Sequence, residues 1–158
     1  MGKLDVKMKE ILETEKTLVF DSFTSQDALN LGMMLIEKGK KAYKPIAINI
    51  SVNRRCLFHF SFDGALPDND NWIQRKENIV YRFFKSSYFM ELKLENEGKT
   101  VEEKYGTSLS ELAPFGGSVP IAVDKTGVVG AITVSGLSPE DDHALVVKCV
   151  EDFLSKLS

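Results

Sequence analysis

Two stretches of strictly alternating residues, each folded back on itself by a short polar turn, constrain this chain more than any other feature. Ile46, Ile48, Ile50 and Val52 point one way, with Ala47, Asn49 and Ser51 pointing the other. After a turn at Asn53–Arg54, Cys56, Phe58, Phe60 and Phe62 alternate with Leu57, His59 and Ser61. Side chains of a strand alternate across its two faces, so period two on both sides of a turn predicts a β-hairpin. The pattern recurs after Gly116–Gly117. Val119, Ile121 and Val123 alternate before Asp124-Lys125-Thr126-Gly127, and Val128, Ile132 and Val134 alternate after it. Gly127 suits the left-handed position that closes such a loop. Hairpins pair antiparallel. A doubly wound parallel sheet is disfavoured, because the strands come in hairpins and no glycine-rich phosphate loop follows a strand.

The segments between the hairpins have helical spacing. Leu4, Met8, Ile11 and Leu12 predict an amphipathic N-terminal helix over residues 1–15, followed by a short strand from Thr17 to Phe20. Thr24 caps a second helix with Asp27 at its third position, and the stripe Ala28, Leu31, Gly32, Leu35, Ile36 carries it to Gly39. A long helix is expected from Asn71 to Ser87, with Trp72, Ile73, Ile79, Val80, Phe83 and Phe84 on its apolar stripe. It continues through Tyr88–Leu94 after a kink at Ser86–Ser87, and a short helix is expected near Leu109–Leu112. The last helix starts at Pro139, with Ser138 as cap and Asp141 completing a short capping box. The order is strand, helix, hairpin, long helix, hairpin, helix. It predicts an α+β fold with a five-stranded antiparallel sheet and flanking helices on both sides, of the profilin-like or PAS-like kind. Residues 1–158 are expected to form one domain.

At 158 residues such a chain can bury about 70% of its unfolded surface and needs no staple to complete a core. Its net charge of −3 and pI near 5.5 lack the surplus of Lys and Arg that nucleic-acid binding requires. No apolar run approaches the roughly 20 residues that span a bilayer, and no signal-like segment opens the chain. Cys56 and Cys149 both fall at core positions, as two thiols rather than a disulfide. A cytoplasmic protein, bound neither to nucleic acid nor to membrane, is the expectation.

The hairpins have unequal faces. One is bulky (Ile46, Ile48, Ile50, Phe58, Phe60, Phe62, Val119, Ile121, Val123, Ile132, Val134) and must be covered by helices. The other carries small or polar groups: Ala47, Asn49, Ser51, Leu57, His59, Ser61, Ala122, Ala131, Thr133 and Ser135. Such a face accepts a closely packed helix, a subunit partner or a ligand.

Few residues can carry chemistry. His59 and His143 are the two histidines. His143 stands near the start of the last helix on its apolar side, where the partial positive charge of the helix end disfavours protonation. Neutral imidazole is the form that ligates metals, including heme iron. Asp142 precedes it. Lys76 lies four residues after Trp72 on the buried stripe of the long helix. A buried ammonium needs a partner: an anionic ligand, or Asp70 or Asp142, unless the side chain snorkels to the edge. Arg75, Arg82, Ser86 and Ser87 share that helix, and Gly116-Gly117-Ser118 can offer backbone N–H groups to an anion. Two histidines and two separated cysteines make no structural zinc site. Neither a nucleophile elbow nor a P-loop is present.

The combined pattern resembles a known family. Gly116-Gly117-Ser118-Val119-Pro120-Ile121, Gly127 to Leu137, and Asp142-His143-Ala144-Leu145-Val146-Val147 are similar to the C-terminal signature of the GlcG and heme-binding-protein-S family. Asn71-Trp72, Arg75-Lys76, Asn78, Arg82-Phe83 and Ser86-Ser87-Tyr88 resemble a branch commonly labelled as heme-degrading-domain proteins. The resemblance runs from about Leu18 onward. It implies the fold derived above, assembly into homo-oligomers, and a small ligand, with heme or another tetrapyrrole as the leading cofactor candidate. By motif it carries over Trp72, Lys76, Arg82, Ser87, Gly117, Asp142 and His143 as ligand-binding residues. Phe115 stands where relatives often carry His or Ala. Three functions follow: a ligand-binding module, a small enzyme acting on an anionic metabolite with His143 as general acid or base, and an oligomeric scaffold.

Overall fold

The computed structural model describes residues 2–157. In chain order the elements are α1 (Lys3–Thr17), β1 (Val19–Phe20), α2 (Ser25–Lys40), β2 (Ala47–Val52), β3 (Arg55–Ser61), α3 (Pro67–Phe83), α4 (Ser87–Glu97), α5 (Val101–Tyr105), β4 (Ser118–Val123), β5 (Gly127–Ser135) and α6 (Pro139–Leu157). The expected helix start at Met1 lies outside the described residues.

The sheet runs β1-β4-β5-β2-β3. Both expected hairpins are present, and β2 and β5 join them antiparallel at the centre, with Asn49 opposite His59 on one side and Thr133 on the other. Asn53 and Arg54 both take positive φ (51° and 65°), the two-residue turn whose twist matches its strands. The sheet is mixed rather than wholly antiparallel, because β1 pairs parallel to β4 through Val19↔Ala122 and Phe20↔Val123. No hairpin ties β1 to its neighbour, so no turn sets its direction.

The bulky face is covered by helices over most of its area but not at its outer edge, where Phe60 is 42% exposed. Ile46, Ile48, Ile50, Val119, Ile121, Ile132 and Val134 are all buried, against Leu31 and Leu35 of α2 and Val146, Cys149, Val150 and Phe153 of α6. Gly32 makes that approach close, since a Cβ there would lie 2.5 Å from the Phe58 ring. The caps also stand as expected. Asp27 N donates to Thr24 Oγ1 (3.1 Å), Thr24 N to Asp27 Oδ2 (2.8 Å), and Asp141 N to Ser138 Oγ (3.1 Å).

The small face is covered by α3, whose polar groups meet those of the sheet. Tyr81 and Ser51 hydroxyls lie 2.8 Å apart, Asn49 Nδ2 donates to Glu77 Oε2 (3.0 Å), and Asn69 Nδ2 donates to Ser135 Oγ (3.4 Å). Of the three occupants the sequence allowed, a packed helix fills most of this face. Outside it a second cluster, including Ile11, Ile79, Phe89 and Leu92, joins α1 and α4 to α3.

Four local expectations change. The long helix starts earlier, at Pro67, because Asn69 accepts from Leu66 N (2.9 Å) and caps it there. Its expected kink is a break: Phe84 turns left-handed (φ 57°), and Ser86 caps α4 by accepting from Phe89 N (3.1 Å). The short helix expected near Leu109–Leu112 is a turn. The helix falls at Val101–Tyr105, set by the Thr100/Glu103 capping box and by Gly106 in left-handed geometry. Finally, Cys56 is exposed, not core. A register shift at Ile50/Ser51 puts Cys56 opposite Ser51, where its thiol reaches Asn49 Oδ1 (3.4 Å).

Candidate functional site

The start of α3, the turn after β5 and the first turn of α6 converge at one end of the sheet. Between them lies a cleft of about 400 Å³, lined by Leu66, Trp72, Lys76, Phe115, Leu137 and Asp142 among others. Lys76 comes from the inward stripe of α3 and Asp142 from the first turn of α6. Their side chains are 5% and 1% exposed, and Lys76 Nζ donates to Asp142 Oδ2 at 3.0 Å. The other carboxylate oxygen accepts from Leu137 N (2.9 Å), and Nζ lies 3.5 Å from Val134 O. Burial pushes the Asp142 carboxyl above the usual range, while the Lys76 charge and the Leu137 N–H pull against it.

Gly117 stands directly behind this pair. Its φ is +141°, and a Cβ there would lie 2.5 Å from Val134 O and 2.8 Å from Lys76 Nζ. The glycine is therefore required both by the backbone and by the ammonium. Two aromatic rings line the same cleft, Trp72 and Phe115, edge to face with centroids 5.9 Å apart. The Arg75 guanidinium lies over the indole, 4.0 Å from its centroid. The cleft thus combines a buried ammonium with aromatic side chains, groups of the chemistry that suits an anionic group and a flat ring.

The remaining expected site residues lie elsewhere. His143 is buried outside the cleft, its ring 4.9 Å from that of Tyr88. Its Nδ1 has no hydrogen-bond partner, and burial, helped by the charge of Lys7, lowers its pKa to about 4. Ser87 is a buried clamp: Ser118 N donates to its Oγ at 2.9 Å. Arg82 lies near the far end of α3, about 15 Å along the axis from Trp72, and holds Thr107 Oγ1 (2.7 Å) and Tyr105 O (3.4 Å). Lys76, Asp142, Trp72 and Gly117 are brought together; His143, Ser87 and Arg82 are not. Sequence reasoning missed Leu66, Leu137 and the wall role of Phe115. Only Phe115 carried a signal, by its place directly before Gly116–Gly117.

A second, more polar groove of about 400 Å³ separates β3 from α3. His59 Nδ1 lies 3.0 Å from Asn49 Oδ1 and its Nε2 3.1 Å from Asp70 Oδ1. Glu77, buried beside Asn49, is held above the ordinary carboxylate range by desolvation. Among the described residues no cluster of His, Cys, Asp or Glu has the arrangement to hold a metal ion, and no helix is long and apolar enough to cross a membrane.

Residues 23–151 match the model of the HbpS-like family, described as haem degrading protein HbpS-like. A UPF0303 protein of Rhizobium etli (strain CIAT 652) is 44% identical over 153 residues, covering 97% of this chain and 93% of its own. The crystal structure of the Ybr137w protein superposes with a TM-score of 0.89 at 36% identity, covering 94% of this chain and 88% of that one. The crystal structure of a PduOC:heme complex superposes with a TM-score of 0.69 at 15% identity, covering 82% and 94%, and shares the fold. The chain belongs to the HbpS-like family.

Proposed function

We propose that this member of the HbpS-like family is a small-ligand-binding protein that holds a planar, anionic ligand in the Trp72–Lys76–Asp142 cleft. The observation that carries the reading is the buried Lys76 ammonium facing a cleft walled by Trp72 and Phe115. Three N–H groups belong to each lysine ammonium. Asp142 and Val134 O engage two, which leaves one for a ligand oxygen. The volume lies within the roughly 300–1,000 Å³ range of small-molecule sites.

Heme or another tetrapyrrole carboxylate is the first candidate, supported by the family's description and by the neighbour solved with heme. The cleft residues fit the periphery of such a ligand and not its iron. Lys76 suits a carboxylate and Trp72 a flat ring, whereas His143 is buried against Tyr88 and gives no imidazole to the cleft. A smaller aromatic carboxylate fits the same features and fills the volume more completely.

Hemin titration followed by Soret absorbance tests the reading. Saturable binding at one equivalent is expected, weakened by Lys76→Met and Trp72→Ala and retained in His143→Ala. Unsaturable binding, equal in all four proteins, removes heme. Failure of aromatic carboxylates to stabilise the protein against heat would then remove the cleft reading itself.

A further inference from the structure

Arg82, which the cleft leaves aside, shares a third hollow of about 270 Å³ with Arg54, Asn78, Thr107, Glu111 and Leu112. Arg54 belongs to the turn between β2 and β3, and Arg82 to α3. Asn78 and Arg82 are four residues apart and therefore neighbours on one face of α3. Asn78 Oδ1 accepts from Arg54 Nη1 at 2.5 Å, which brings Arg54 to that face, and Asn78 Nδ2 donates to Glu111 O at 2.8 Å. Arg82 Nη1 and Nη2 donate to Thr107 Oγ1 (2.7 Å) and Tyr105 O (3.4 Å). The Arg54 guanidinium also lies 4.2 Å from the Tyr81 ring centroid. Neutral oxygens and an aromatic face thus hold both guanidiniums in place and neutralise neither. Arg82 has no ion-pair partner among the described residues, and the carboxylate paired with Arg54, that of Glu77, stands off at 3.9 Å. Glu111, the carboxylate that lines the hollow, is exposed and pairs with neither arginine.

The backbone of Arg54 is a second, independent observation. It takes the second place of the two-residue turn with a φ of 65°, where glycine is the usual residue. A longer side chain is strained in left-handed geometry, and strain of this kind gathers where the side chain has a task. The geometry points to an oxyanion site between Arg54 and Arg82 that takes the phosphate group of a small molecule. Each guanidinium carries five N–H donors in a planar fork; Arg54 spends one on Asn78, and Arg82 two on Thr107 and Tyr105. The remaining donors can close on two edges of a tetrahedral oxyanion. Two fixed positive charges match a phosphate dianion, whereas a carboxylate would cancel only one. The volume falls below the roughly 300–1,000 Å³ of sites that enclose a whole drug-sized molecule, so the hollow receives a charged group and leaves the rest of the ligand outside. Because Arg82 stands about 15 Å along α3 from Trp72, the site does not depend on the cleft.

Isothermal titration calorimetry of the full chain with inorganic phosphate, at constant ionic strength, tests this. Saturable binding of one equivalent is expected. Arg54→Gly and Arg82→Gln should each weaken it by about tenfold or more, as the loss of a charge-assisted contact requires. Glycine suits the left-handed turn and glutamine keeps a donor for Thr107, so with circular dichroism unchanged the loss reports the guanidinium and not the fold. Glycerol 3-phosphate distinguishes the two sources of the group. Tighter binding than that of inorganic phosphate assigns the site to a phosphate monoester, and equal or weaker binding assigns it to the free ion; both support the site. Heats that never saturate, or saturable binding that both arginine variants leave unchanged, would overturn the inference. So would binding lost in Lys76→Met alone, which would put the phosphate in the cleft.

Discussion

Replacing Lys76 by methionine keeps most of the side chain's length and removes its charge, leaving Asp142 buried with backbone N–H donors, Leu137 N at 2.9 Å among them, and no cation. Both partners are almost fully enclosed, at 5% and 1% exposure. Removing one member of such a pair costs about 3–5 kcal/mol, because the survivor is an uncompensated buried charge. For a chain of this size each kcal/mol moves Tm by about 2–4 °C, so Lys76→Met should melt about 6–20 °C lower at neutral pH. The loss should also depend on pH, with a definite sign. Without Lys76, the Asp142 carboxyl rises further above its unfolded value. A group whose folded pKa is raised stabilises below the unfolded pKa and loses that contribution as pH rises through the folded one. The deficit of Lys76→Met should therefore be smaller at pH 5 than at pH 8. Lys76→Met combined with Asp142→Leu should recover most of it, since a hydrophobic pair of similar volume replaces buried ions at little net cost. Urea unfolding of wild type, both single variants and the double variant closes the cycle. A cost under about 1 kcal/mol for Lys76→Met, the same at both pH values, would show that water reaches the pair and would refute the argument.

His143 should make the protein acid-sensitive. Its pKa falls from 6.5 to about 4 on folding, so stability is complete above 6.5 and declines toward pH 4 by about 3 kcal/mol. His143→Gln should remove that slope in pH-dependent urea midpoints; a slope unchanged from wild type would contradict it. Glu15, raised to about 7 by burial, acts in the opposite direction. Stability falls as pH rises from 4.5 through 7, and Glu15→Gln, which can still accept from Ser86 N, should flatten this part of the profile. With a thiol reagent, Cys56 should react in the native protein, while Cys149, fully buried and pushed up to about 12, should wait for denaturant. Equal rates for the two thiols would count against the assigned register of β3. Gly32→Ala should destabilise by about 1–3 kcal/mol through contact with Phe58, read as a lower urea midpoint with unchanged m-value.

The hairpins were legible because alternation is a local property that burial on one face enforces over many residues. Ile46 to Val52 and Val119 to Val134 needed no tertiary knowledge to be read as strands. The caps at Thr24 and Ser138 were legible for the same reason, since a side chain three residues away either reaches the free N–H or does not. What escaped was set by contacts distant in sequence. β1 is two residues long and takes its direction from β4, about a hundred residues later. Cys56 alternates with Phe58 on paper, but one extra residue in β3 moves it off the core face. Asn69 capped α3 earlier than its apolar stripe suggested, because α3's first turn lies over Ser135 and is polar by necessity. Lys76 was conspicuous as a charge on an apolar stripe. Its partner, 66 residues away, was one of several carboxylates until the fold chose.

Asp142 and His143 form the most suggestive dipeptide in the chain, and helical geometry explains why they do not act together. Adjacent residues of an α-helix point about 100° apart, so one wall cannot receive both side chains. Here α6 begins where three layers meet, and each side chain enters a different one. Asp142 turns toward α3 and closes on Lys76; His143 turns toward α4 and lies against Tyr88, with Lys7 of α1 over the same ring. Lys7 and the helix N-terminus both disfavour a second proton on the imidazole, which is why it can be buried neutral. The chemistry of the cleft is therefore that of a fixed charge pair rather than of an imidazole. Such a pair offers the cleft a fixed, buried charge and no imidazole proton. Ligand affinity governed by Lys76 and Trp72, and indifferent to His143, is the pattern that this division of α6 requires.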